Sequence, residues 1–148
     1  MNDTIEAAAE MHRRGYNCAQ SVLGAHAAEL GLPEDVALRI AAGFGGGLGR
    51  CGEACGALTG AIMVIGLRMG ATDAADRAAK ERTYEAVHAF VEAFRTRNGA
   101  VTCRELLGAD IGTLEGYKQA REEGRFKSVC PGLVRSAAEL LADQEEHQ

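Results

Sequence analysis

Five cysteines, Cys18, Cys51, Cys55, Cys103 and Cys130, are the residues of this chain best placed to do chemistry. Four of them fall where a helix begins. Asn17 is a natural N-cap with Gln20 three residues on, so Cys18 is the first helical residue. Thr102 and Glu105 form the same capping-box pattern around Cys103. Cys130 precedes Pro131, which suits the first helical position, and so reads as a cap residue itself. Cys55 lies in the first turn after Gly52-Glu53. At a helix start the backbone N–H groups are unpaired and the dipole is positive. That environment lowers a thiol pKa and stabilises the thiolate, which is at once a nucleophile, a metal ligand and a ligand for anionic clusters. The plain alternative is a set of cysteines buried as small hydrophobes.

Spacing narrows the chemistry. There is no CxxC pair, so a zinc ribbon, a thioredoxin-like motif and the common ferredoxin runs are absent. There is no CxxCH, so covalent c-type haem is excluded. Any ligand set must gather from distant parts of the chain. Cys51, in CGEAC, sits in a loop and reads as an added ligand, a partner in a reversible disulfide, or a bystander.

That loop, GFGGGLGR followed by Cys51 and Gly52, matches GxGxxG at Gly47, Gly49 and Gly52. A dinucleotide fingerprint needs a preceding strand, and EDVALRIAAGF is helical in pattern. The loop instead brings backbone close to a site with amides free to donate. Gly47, Gly49 and Arg50 are its candidate cofactor-binding residues, Arg50 balancing an anionic ligand. His12, His26, His88 and His147 are scattered; His88 shares a face with Tyr84 and reads as a packing histidine. Glu53 reads as a helix-terminal charge. No Ser-His-Asp arrangement, HExxH or P-loop is present.

The elements that must position these residues are helical. Asp3 caps a helix over residues 3 to 13, and a second runs from Cys18 to a stop at Gly31. Pro33 starts a third, with Val36, Ile40 and Phe44 on one face. Glu53 to Met69 is apolar nearly all round, with Gly56 and Gly60, and Ala57 and Ala61, at spacing four. Such a stripe implies close approach of a packed helix or a cofactor. Thr72 to Arg97 is expected to be the longest helix, burying Tyr84, Val87, Phe90, Val91 and Phe94. Short helices follow at Cys103 and within LEGYKQAREEG, and a last one starts at Cys130. The expected architecture is all-α: residues 1 to 148 as a single domain of about six or seven helices around the central glycine- and alanine-rich one.

A formal net charge of -5 without a basic stripe argues against nucleic acid. The longest apolar run, the 14 residues from Ala54 to Leu67, is too short to span a bilayer. The first residues lack a secretory apolar stretch, so the chain reads as cytoplasmic, where cysteines serve metal binding or catalysis more than structural disulfides. The apolar helix and the scarce aromatic residues leave room for a homodimer.

Cys18, the CGALTG at Cys55 to Gly60, and the single cysteines Cys103 and Cys130 together resemble the C_GCAxxG_C_C family. The likeness extends to GFGGGLGR and to CRELLG around Cys103. The resemblance implies redox activity without a defined reaction. The family is similar to the core of split-Soret cytochrome c, which carries haem and an iron–sulfur centre. What that likeness implies here is a cysteine-bound cluster on Cys18, Cys55, Cys103 and Cys130. The leading expectation is an iron–sulfur cluster, most simply [2Fe–2S], serving electron transfer or redox sensing with a redox partner protein. The alternatives are a thiol–disulfide protein with Cys55 as nucleophile and Cys51 or another cysteine resolving it, or a zinc or other metal-binding structural module.

Overall fold

The computed structural model describes residues 2–146; His147 lies outside them. The described residues form eight α-helices: α1 (Asn2–Arg13), α2 (Cys18–Ala27), α3 (Glu34–Ala41), α4 (Gly56–Met69), α5 (Arg77–Asn98), α6 (Cys103–Leu107), α7 (Leu114–Glu122) and α8 (Arg125–Glu146). No strand occurs among them, and one isolated antiparallel bridge joins Ala54 to Thr102. The all-α expectation holds, with more helices than the six or seven expected. The segment LEGYKQAREEG, whose pattern was least clear, is α7, capped by the Thr113 hydroxyl on the Gly116 amide.

The caps explain most helix starts. Asn17 and Gln20 form the full reciprocal capping box of α2. At α6 only half of the expected box forms. Thr102 Oγ1 accepts from the Glu105 amide, but it also donates to the Glu105 carboxylate at 2.8 Å, so that carboxylate does not reach back to the cap backbone. Asp3 lies inside the first turn of α1 instead of capping it. Asp76 caps α5 through the Ala79 amide, so α5 starts at Arg77 and not at Thr72. It is matched in length by α8, at 22 residues each.

Three expectations are corrected. First, α8 begins at Arg125 and carries Pro131 in its interior, so Cys130 is a helical residue and not a cap. Pro131 removes the amide that would reach back to the carbonyl of Lys127, yet the helix continues because Phe126 and Val129 are held in packing before it. Second, α4 starts at Gly56, which makes Cys55 its N-cap. Third, Tyr84 is 59% exposed and His88 is exposed, so the buried face of α5 is carried by Phe90 and Phe94, with Val87 and Val91 half-buried. The packing histidine is His26, buried on α2 with Nδ1 2.8 Å from the Val22 carbonyl oxygen.

The stripe on α4 meets a helix. A Cβ on Gly60 would stand 2.8 Å from the Ala19 carbonyl oxygen and 3.1 Å from its Cα; one on Gly56 would stand 3.1 Å from the Ala19 amide nitrogen. The N-terminal turns of α2 and α4 are therefore in backbone contact, which only glycine permits at Gly60. Around this crossing, α1, α2, α4, α5 and α8 contribute to one large apolar cluster that includes Leu23, Ile65, Phe94 and Leu141. A second, smaller cluster of Cys103, Leu107, Ile111 and Ala120 is covered by Tyr117, Phe126, Val129 and Cys130.

Candidate functional site

Cys18, Cys55, Cys103 and Cys130 line one cavity of about 420 Å³. Each reaches it from a different element and for a local reason. The glycine contact of α4 with α2 sets Cys55 beside Cys18, and Gly56 lies against the Cβ of Cys18. Cys103 is tied in by a backbone ladder: the Cys55 amide donates to the Val101 carbonyl at 2.9 Å, and the Cys103 amide donates to the Glu53 carbonyl at 2.7 Å. The Arg104 amide extends it to the Gly52 carbonyl at 3.0 Å. Cys130 enters from α8, between Phe126 and Leu133 of the same wall. All five cysteines are free thiols.

The sulfurs sense one another. Cys18 and Cys130 bear on each other's titration: Cys18 is pushed well up, by Cys130 first and then by burial, while Cys18 draws Cys130 down. Burial pushes Cys55 up to about 11, against the pull of the Ala57 and Leu58 amides, which face its sulfur without closing a capping bond of ordinary geometry. Burial, with the neighbouring Cys55 and Cys130, pushes Cys103 up to about 12. The helix-start expectation of lowered thiol pKa therefore fails at Cys18, Cys55 and Cys103. At Cys18 the neighbouring Cys130 and then burial hold the proton; at Cys55 desolvation outweighs the helix-start amides, and at Cys103 desolvation is the main cause.

The remaining candidates divide. Gly47 lines the thiol cavity, and a Cβ there would stand 2.7 Å from the Cβ of Cys103. Gly49 and Arg50 do not line it; they line an adjoining one, where the Arg50 guanidinium lies 4.4 Å from the Tyr117 ring centroid. Cys51 is exposed and outside the thiol cavity, its carbonyl accepting from Arg104 Nη2 at 3.1 Å. Glu53, read as a helix-terminal charge, faces the same guanidinium at 3.4 Å.

His12 was not singled out by the sequence and belongs to the site. Its Nε2 is 3.8 Å from Cys18 Sγ, and burial lowers its pKa, favouring the neutral ring. The available signal was the short link: α1 ends at Arg13, Gly15 takes a positive φ, and α2 opens at Cys18, which folds the last turn of α1 back onto the first of α2.

The donor set suits a soft metal group: four thiols, a histidine and apolar walls. Among the described residues, no three His, Cys, Asp or Glu side chains converge closely enough to hold a single metal ion.

Residues 16–144 match the family model described as "Putative redox-active protein (C_GCAxxG_C_C)", and the chain belongs to that family. No curated protein and no solved structure matches the chain.

Proposed function

We propose that this member of a redox-active family binds an iron–sulfur cluster through Cys18, Cys55, Cys103 and Cys130, in electron transfer or redox sensing with a protein partner. The observation that carries the reading is the arrival of four thiols, from four separate segments, on one cavity of about 420 Å³. A [2Fe–2S] cluster is the simplest iron–sulfur group that four cysteine thiolates hold. Such a cluster, when bound, supplies one-electron redox chemistry. The chain's own residues would ligate it as thiolates, releasing protons on loading, since three of the four thiols hold theirs tightly in this environment. His12 stands where it can hydrogen-bond the Cys18 sulfur. Leu106, Leu107 and Leu133 give the cavity an apolar wall. A reducing, cytoplasmic setting fits five free thiols, and among the described residues no helix is long and apolar enough to cross a membrane.

Iron and acid-labile sulfide analysis, with an absorption spectrum of anaerobically purified protein, tests this. Equal iron and sulfide with visible absorbance, both lost in Cys103→Ser, are expected. Protein with neither iron nor visible absorbance overturns the reading.

The placement of Cys18 and Cys130 on one cavity, each shifting the other's titration, favours a second reading, a dithiol pair within the same site. Cys55 is a poor nucleophile, being buried with a raised pKa. Thiol counting before and after mild oxidation of metal-free protein distinguishes this reading: loss of two thiols, abolished in Cys130→Ser, supports it, and an unchanged count ends it.

A further inference from the structure

A second cavity, of about 510 Å³, adjoins the thiol cavity and shares Asn17, Gly46 and Phe126 with it. Its most chemically specific wall is Arg50 over Tyr117, with the Tyr117 ring packed against Phe126 at 5.6 Å between centroids and tilted by 54°. Arg50 is exposed and makes no ion pair with any described residue. It is also held in a costly backbone state. Gly46 to Arg50 run through five successive residues with φ between 57° and 68°, a left-handed turn in which Leu48 and Arg50 are the two non-glycines. Each such residue costs roughly 1 kcal/mol or more. The amides of Gly46 and Gly49 are not donated to any described residue, whereas those of Arg50, Cys51 and Gly52 are. Gly45, Gly46 and Gly49 add no side chains to the cavity, and Tyr117 and Phe126 add rings.

We infer that this cavity binds a small planar aromatic anion, its ring against Tyr117 and Phe126 and its anionic group on Arg50 and the Gly46 and Gly49 amides. An unpaired guanidinium already stacked on an aromatic face recognises that combination: the planar fork takes the oxyanion while the rings take the flat body. The shared wall places such a molecule beside the four thiols. Binding itself does not depend on what the thiols hold.

The test uses the full chain, purified anaerobically, with three probes in equilibrium dialysis. Anthraquinone-2-sulfonate has ring and charge, menadione has a ring without charge, and methanesulfonate has charge without a ring. Saturable binding of the first, about tenfold or more tighter than either of the others, is expected. Arg50→Gly weakens it about tenfold or more while the thermal midpoint stays or rises, because glycine suits the positive φ. Tyr117→Leu weakens it as well. Cys103→Ser, even with any cluster lost, leaves it unchanged, which separates this inference from the proposed function. Equal binding of menadione, equal binding of methanesulfonate, no saturable binding, or unchanged affinity in folded Arg50→Gly each overturns it.

Discussion

The two apolar clusters hold the site in different ways. The large one carries Cys18 and Cys55 on helices whose backbones touch at Gly56, Gly60 and Ala19. The small one carries Cys103 and Cys130 on a five-residue helix and the N-terminal half of α8, linked to the rest by the short ladder from Gly52–Cys55 to Val101–Arg104. The four thiols therefore straddle a seam, two on each side. One side is fixed by the packing that holds the whole fold. The other is fixed by four buried residues, a few main-chain hydrogen bonds, and the packing of Val101, Leu106 and Val129 against the large cluster. A site built this way can open on the weaker side without unfolding the stronger, which is how local stability differences give a fold a movable part.

The largest effect expected is on the strong side. Gly60→Leu drives a side chain into the Ala19 backbone, where nothing flexible can yield. The gain in helix propensity, about 1 kcal/mol, is smaller than the overpacking cost, about 3 kcal/mol. Urea unfolding should shift to a lower midpoint, and all four site thiols should become accessible together. An unchanged midpoint would show that the helix crossing does not set the fold's stability.

Next comes the weak side. Ile111 is 2% exposed and belongs only to the small cluster. Ile111→Ala should cost about 2 kcal/mol, spent locally. Amide exchange in α6 and α7 should quicken while α2 and α4 keep their protection, and Cys103 and Cys130 should alkylate before Cys18 and Cys55. Uniform acceleration across all eight helices would abolish the distinction between the two sides.

A pH effect spans the seam. In metal-free protein Cys55 and Cys103 have folded-state pKa values of about 11 and about 12, both above those of exposed thiols. Between pH 9 and 11 the unfolded chain releases protons that the folded chain retains. The stability these groups give is thus complete below the unfolded pKa and lost as pH rises through the folded one. The decline, read as the urea midpoint against pH, should be shallower in Cys55→Ser. A midpoint that rises over this range contradicts the burial of those thiols.

Legibility in the sequence follows the same division. The strong side was readable: Asn17 and Gln20 mark the start of α2, and the Gly56 and Gly60 spacing announces a close helix contact. The gathering of the cysteines was readable only as a list of positions, because the bridge between Ala54 and Thr102 pairs segments nearly fifty residues apart with no strand pattern to reveal it. Cys130 was misplaced because Pro131 is a helix-start signal, overridden here by packing at Phe126 and Val129. The thiol pKa directions were misjudged because a helix start can be read from a chain and the desolvation of a cavity cannot. Arg50 was recognised as a candidate charge, but its partner Tyr117 lies on α7, the least clear helix in the sequence.

The smallest effect concerns the loop that borders both cavities. Leu48 is 40% exposed and held at φ 68°, with neighbours on both sides in the same left-handed state. Its side chain contributes little burial, so the backbone term dominates. Leu48→Gly removes roughly 1 kcal/mol of native strain but gives the unfolded chain more freedom. The two leave a net stabilisation of about 0.5 kcal/mol, visible as a small rise in thermal midpoint. Because Gly47 packs on the Cβ of Cys103 and the Glu53 amide donates to the Gly47 carbonyl, the loop belongs mechanically to the weak side. Relaxing it should therefore slow alkylation of Cys103 more than that of Cys18. A lower midpoint would mean that the left-handed turn is held by Leu48 packing, and the strain would have to be sought elsewhere.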